Sequence, residues 1–145
     1  MTQQNLRPTA YHEAGHAVLA WSLGLAVGTI SVNADDLSGE TKHHPADHLS
    51  WTEQIALRRA GEAACDLFGY PADHEQAYWD DMGKIIALFT ANGISHEKDQ
   101  DVLRKAGYQC ARTVLESHKN KVERLAERLV VCGSIDSAEF SSLMA

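Results

Sequence analysis

The stretch "AYHEAGHAVLAW", residues 10–21, decides how the chain reads. Its small and aliphatic residues predict a buried helix, yet it carries His12, Glu13 and His16. Positions i and i+4 of a helix lie on one face with Cβ atoms about 5–6 Å apart, so His12 and His16 point the same way. Two readings follow: the histidines are polar residues partnered inside a core, or they hold a metal. Thr9, just after Pro8, is a good N-cap for this helix, and Gly24 is its natural stop.

Outward from that helix, "GTISVN" (28–33) alternates and is β-branched, which predicts a strand. "DDLSG" (35–39) reads as a turn and "ETKHH" (40–44) as a short exposed second strand, completing a hairpin. Residues 17–34 carry no charge, a length near the minimum for a membrane span. Ser22, Gly24, Gly28, Thr29, Ser31 and Asn33 interrupt the run, so it reads as helix, turn and strand. A second helix is expected from about Ser50 to Phe68. Its apolar stripe is Ile55, Ala56, Ala60, Ala63, Ala64 and Leu67, with alanines that suit close helix packing. "GYPADHEQ" (69–76) reads as a loop, and a third helix as Trp79 to Ala91. Lys98 to Val131 is helical, as one helix or two, with a polar interruption at "SHKNK" (117–121). A last short helix opens at Asp136, where Glu139 suits a variant capping box and Ile135 with Phe140 a hydrophobic staple. No internal repeat, low-complexity segment or linker is visible. The expected architecture is a single, mainly α domain over 1–145 with one small β-hairpin.

Bulk properties agree with that picture. The 145 residues are 44% hydrophobic and 23% charged, which is a globular composition with enough chain to bury a core. The net charge of −7, without a basic stripe, argues against nucleic acid or an anionic membrane as the main partner. Cys65, Cys110 and Cys132 are odd in number and form no CxxC pair, so buried thiols in a reducing, cytoplasmic compartment are expected. Only Arg7 precedes the apolar stretch and Glu13 interrupts it, so no export signal is read.

The HExxH pattern in residues 12–16 has a direct chemical meaning. Two imidazoles converging from one helix face are neutral donors for Zn²⁺ at about 2.0–2.1 Å. Glu13, beside the first ligand, is placed to act on a metal-activated water, taking its proton and passing it to a leaving amine. That chemistry is peptide-bond hydrolysis. With 8 histidines in 145 residues, the pattern arises by chance in about 3% of shuffled versions of the chain. Gly15 lowers helix propensity by about 1 kcal/mol relative to alanine, which suits a close approach by substrate or another helix.

A catalytic zinc needs a third protein ligand and an open position. No HxxGxxH extension follows His16. Glu62, with Asp66 one turn later in "EAACD" (62–66), has the spacing of the third-ligand helix in thermolysin-like enzymes. "YWDDMGKI" (78–85) offers Asp80 and Asp81. Asp80 shares a helix face with Lys84 and points to water. Asp81 shares one with Met82, Ile85 and Leu88 and points inward, where a carboxylate needs a partner. His74 and Glu75 are further possibilities, more simply read as solvated.

In order of elements the chain resembles the peptidase domain of the FtsH-type ATP-dependent zinc metalloproteases. "AYHEAGHAVLAW" is similar to that family's YHExGHA helix, and "ISVN…SGETKHHP" occupies the place of its hairpin. "LRRAGEAACDLFG" (57–69) looks like its LLGGRAAEELxFG helix, with Glu62 at the arginine position and Cys65 at the first glutamate position, beside Asp66. "AYWDDMGKIIALF" (77–89) falls where the family has GASNDLxxAT, whose aspartate is the third zinc ligand. "GSIDSAEFSSLM" (133–144) resembles its closing ETIxGxEL helix. The resemblance therefore implies His12, His16 and Asp81 as zinc ligands and Glu13 as general base and acid. It also implies a free-standing peptidase domain, lacking the ATPase module and membrane segments of the family.

The expected function is that of a zinc metalloendopeptidase acting on peptides or unfolded protein segments. A separate ATPase or adaptor would deliver other substrates. The strand at 40–44 is either an edge that aligns substrate by β-augmentation or a plain hairpin cover. Val114, Leu125 and Leu129 are core, or a face for homo-oligomerisation. The rivals are a non-catalytic zinc-binding domain of the same fold that serves as an interaction module, and a metal-free helical protein with a chance HExxH.

Overall fold

A computed structural model describes residues 3–70 and 75–145, with the side chains of residues 6–70 and 77–145. His74 and the Glu75 side chain, considered above as ligands, lie outside the described residues. The chain runs through α1 (Gln3–Ser22), β1 (Val27–Asn33), β2 (Ser38–His43), α2 (Trp51–Phe68), α3 (Glu75–Ala91), α4 (Glu97–Ser117), α5 (Lys119–Cys132), β3 (Ser134–Ile135) and α6 (Ser137–Met144). It is mainly α with a small three-stranded antiparallel sheet in the order β2-β1-β3.

Helix α1 is the centre of the fold. Ala10, Ala14, Ala17, Val18, Leu19 and Ala20 are buried on all sides of it, as expected of a helix enclosed by other elements. It begins before Thr9 and carries Pro8 inside, contrary to the expected N-cap. Tertiary contacts override the local signal. Leu6 is buried in the core, and Arg7 donates from Nη2 and Nε to the Glu127 carboxylate at 2.7 and 3.0 Å. Tyr11 donates to the same carboxylate at 3.0 Å, tying α1 to α5. The Thr9 hydroxyl donates to the Leu37 carbonyl at 2.9 Å. The helix stops where expected, with Gly24 at φ +81°.

Against α1 lies α2, opened by a full capping box between Ser50 and Glu53. The approach is close enough to explain Gly15. A Cβ there would stand 2.5 Å from the Ala60 carbonyl oxygen and 2.6 Å from the Ala64 Cβ. Gly15→Ala is therefore expected to destabilise the fold by about 1–3 kcal/mol through overpacking, although alanine is the better helix former by about 1 kcal/mol. Urea unfolding reads the difference, and an unchanged or raised midpoint would contradict this packing.

Helix α3 starts earlier than Trp79 and is held to α2 by a small cluster of Ile55, Ile85 and Phe89. That cluster fixes the rotation of α3 and so the direction of Asp81. The helical stretch after Lys98 is two helices, broken at His118. Asp136 caps α6 as expected, accepting from the Glu139 amide at 2.9 Å, but the Glu139 carboxylate takes Arg128 at 2.7 Å rather than completing a capping box. The third strand was not anticipated; it is two residues long and joins β1 after Gly133. Of the three thiols only Cys65 is buried; Cys110 is half-buried and Cys132 exposed, which corrects the expectation of buried thiols. No described helix is long and apolar enough to cross a membrane.

Candidate metal centre

The site lies where α1, α3 and β2 meet. His12 and His16 leave the same face of α1, and Asp81 reaches them from α3, across 65 residues of chain or more. His12 Nε2 and His16 Nε2 each lie 3.1 Å from Asp81 Oδ2, and 3.1 Å from each other. Among the described residues, these three form the group of His, Cys, Asp and Glu side chains whose ligand atoms converge. His12 and Asp81 are 5% and 9% exposed, so water screens them little.

Each member is held from behind. His16 Nδ1 stands 2.7 Å from the Leu57 carbonyl of α2. A carbonyl only accepts, so Nδ1 carries the proton and Nε2 of the neutral ring presents a lone pair. Gly61 of α2 faces the His12 ring, and a Cβ there would overlap the imidazole. Asp81 is anchored one turn ahead of the buried Ile85.

Lone-pair donors this close need a cation or a proton among them. Burial pushes the Asp81 carboxyl up, but hydrogen bonds and charge from His12 and His16 outweigh it and hold the group well below the usual carboxylate range. Burial likewise works against the His16 imidazolium, and the Asp81 hydrogen bond and charge, with the charge of Glu13, raise its pKa nonetheless. The donor set also suits zinc. A tetrahedral zinc with bonds of about 2.0–2.1 Å separates its ligand atoms by roughly 3.3 Å, close to the 3.1 Å edges found here. Two imidazoles and one carboxylate are borderline donors of the kind zinc takes, unlike the all-oxygen sets of calcium or magnesium.

Glu13 is 5% exposed and lies in the same cleft of about 140 Å³ as the three donors. Strand β2 holds it through its residues 39 and 41, one face of the strand at period two. Thr41 Oγ1 stands 2.7 Å from Glu13 Oε1, to which it donates. Gly39 covers the carboxylate, since a Cβ there would stand 2.6 Å from Glu13 Cγ and 3.0 Å from Oε2. His43, next on that face, also lines the cleft. Burial pushes its imidazolium down, a hydrogen bond with the His44 carbonyl opposes this, and the charges of Arg58, His16 and Lys84 push the same way as burial.

Glu62 is not brought to the cluster. Its carboxylate receives Arg59 Nη2 and Nε at 2.8 and 3.1 Å. Asp66 accepts from the Tyr108 hydroxyl. Cys65 is an inert thiol, pushed up to about 12 by burial and then by the charges of Asp66, Glu13 and Glu62. Asp80 is exposed, at the rim of the cleft. The sequence alone does not single out Gly39, Thr41 or Gly61. For the first two the signal was present, in the alternation of β2 opposite a buried glutamate; for Gly61 there was none.

No protein-family model matches the chain. It is similar to the ATP-dependent zinc metalloprotease FtsH of Chlamydia trachomatis serovar L2, 26% identical over 99% of this chain and 21% of that protein. The ATP-dependent zinc metalloprotease FtsH 2 of Methylacidiphilum infernorum is 24% identical over 99% of this chain and 30% of its own length. That of Sphaerobacter thermophilus is 29% identical over 99% and 27%. The chain thus spans less than a third of the length of these curated relatives.

Proposed function

We propose that the chain is a zinc metallopeptidase domain that hydrolyses peptide bonds of peptides or unfolded protein segments. The observation that carries this reading is the triangle of His12 Nε2, His16 Nε2 and Asp81 Oδ2 with the Glu13 carboxylate in the same cleft. The similarity to zinc metalloproteases along the whole chain supports it. Bound there, zinc would polarise a peptide carbonyl and bring the pKa of water to about 7.

The chain's own residues supply the rest. His12, His16 and Asp81 would hold the metal. Glu13 takes a proton from the attacking water and returns it to the leaving amine. With Oε1 occupied by Thr41, that proton is carried on Oε2. Strand β2 aligns the substrate. Val32 donates to Gly133 on the β3 side and His44 to Ala26 of the β1 side. With the register Val32↔Gly39 and Ser31↔Glu40, the main-chain groups of Gly39, Thr41 and His43 therefore face away from β1. Those groups are the rungs available to an extended peptide.

This placement restricts the substrate. An extended segment must lie along β2, and a folded protein exposes one only at about 5–15 kcal/mol of opening. No GxxxxGK[ST] phosphate loop occurs in the 145 residues. The purified chain is therefore expected to digest casein and leave a stable folded domain intact, with or without ATP. Delivery of folded proteins falls to an ATPase or adaptor outside these 145 residues. A side-by-side digest tests this; rapid cleavage of the folded domain, or dependence on ATP without a partner, contradicts it. A zinc-loaded chain that cuts neither substrate is a non-catalytic zinc-binding module.

A further inference from the structure

Two cations stand at the His43 end of the cleft. Arg58 of α2 and Lys84 of α3 line the metal cleft together with Glu13 and Thr41. The same two residues line an adjoining hollow of about 320 Å³ with Asp47, Gln54, Ala87 and Leu88. They form the sill between the two spaces. Their charges reach His43, the last inward residue of β2.

Of the 13 basic residues of the chain, Arg7, Arg59, Arg104 and Arg128 each take an acidic side chain. Neither Arg58 nor Lys84 belongs to an ion pair among the described residues. Asp47 is the acidic residue of the second hollow, while Glu40 and Asp80 line the metal cleft itself. The sill thus sets two cations, neither in an ion pair among the described residues, beside a cleft that also carries the carboxylates of Glu13, Glu40, Asp80 and Asp81. Arginine offers a planar fork matched to a carboxylate, and a lysine beside it adds a second donor.

We propose that Arg58 and Lys84 form a subsite that binds a carboxylate of the substrate, at the His43 end of the peptide path. The proposal rests on the peptidase reading above. The carboxylate comes from an aspartate or glutamate side chain near the scissile bond or from the C-terminus of the substrate. Either would follow the edge of β2 past His43 and meet the two cations, and a neutral residue there would leave them facing water.

The test uses a neutral, C-terminally amidated fluorogenic peptide as parent. Its relatives carry one aspartate on either side of the scissile bond, or a free C-terminal carboxylate. Cleavage by the zinc-loaded protein is compared with that by Arg58→Gln and Lys84→Gln. Binding of the same peptides to the Glu13→Gln protein, alone and combined with Arg58→Gln, is followed by fluorescence anisotropy. At least one anionic peptide is expected to show kcat/KM about tenfold above the parent, a preference lost in Arg58→Gln while cleavage of the parent is unchanged. The peptide that gains identifies the source: a side chain, or the chain terminus. Equal rates for all peptides, or equal losses on all of them in Arg58→Gln, overturn the subsite and leave the peptidase reading standing. Absence of cleavage with Arg58-dependent binding of an anionic peptide overturns the peptidase reading and leaves the subsite. Absence of both overturns both.

Discussion

Replacing Glu13 with glutamine is expected to cut hydrolysis of casein by about a thousandfold while leaving the zinc content unchanged. The substitution keeps the size of the side chain and an oxygen for the Thr41 hydroxyl, which stands 2.7 Å from Oε1. What it removes is the proton acceptor. Glutamine at this place cannot take a proton from water or return one to an amine, so both halves of the reaction lose their carrier. The proposed metal donors are His12, His16 and Asp81, and none of them depends on the charge of residue 13 for its position. Zinc determined by elemental analysis beside the casein rate separates the roles. An unchanged rate removes Glu13 from the mechanism, and lost zinc makes it a ligand.

The second large effect falls on Asp81. Asp81→Ala is expected to weaken zinc binding by about a hundredfold or more, since it deletes one of three donors and the anion that lies 3.1 Å from both imidazoles. Asp80→Ala changes a residue at the rim and should alter the affinity little. Glu62→Ala should also keep the zinc, because that carboxylate is occupied by Arg59. The three variants, titrated with zinc against a competing chelator, discriminate the ligand sets. Zinc loss in Glu62→Ala with retention in Asp81→Ala would replace the proposed set by the thermolysin-like one. Circular dichroism of each variant keeps folding apart from binding.

Much of this arrangement is legible in the sequence because it rests on periodicity. The spacing of His12 and His16 puts both on one face of α1. The phase of α3, set by Ile85 and Leu88, turns Asp81 inward and Asp80 outward. The alternation of residues 28–33 marks β1. What was not legible depends on partners far along the chain. The start of α1 is fixed by Leu6 in the core and by Glu127, 120 residues from Arg7, and so runs through Pro8. Strand β3 has two residues and no pattern of its own. The grip of β2 on Glu13 joins residues 28 apart through one hydroxyl and one absent side chain. Gly15 was read as a place of close approach, and only the packing of Ala60 and Ala64 says that a helix makes it.

On the proposed reading, this cleft holds one zinc ion and hydrolyses peptide bonds with it. The most direct measurement is elemental analysis of the protein purified without an affinity tag, joined to a casein digest before and after chelation. About one zinc per chain is expected, with loss of proteolysis on removing it and recovery on adding one equivalent back. A folded chain that binds no zinc, or one whose proteolysis persists unchanged when the metal is stripped, would contradict that reading.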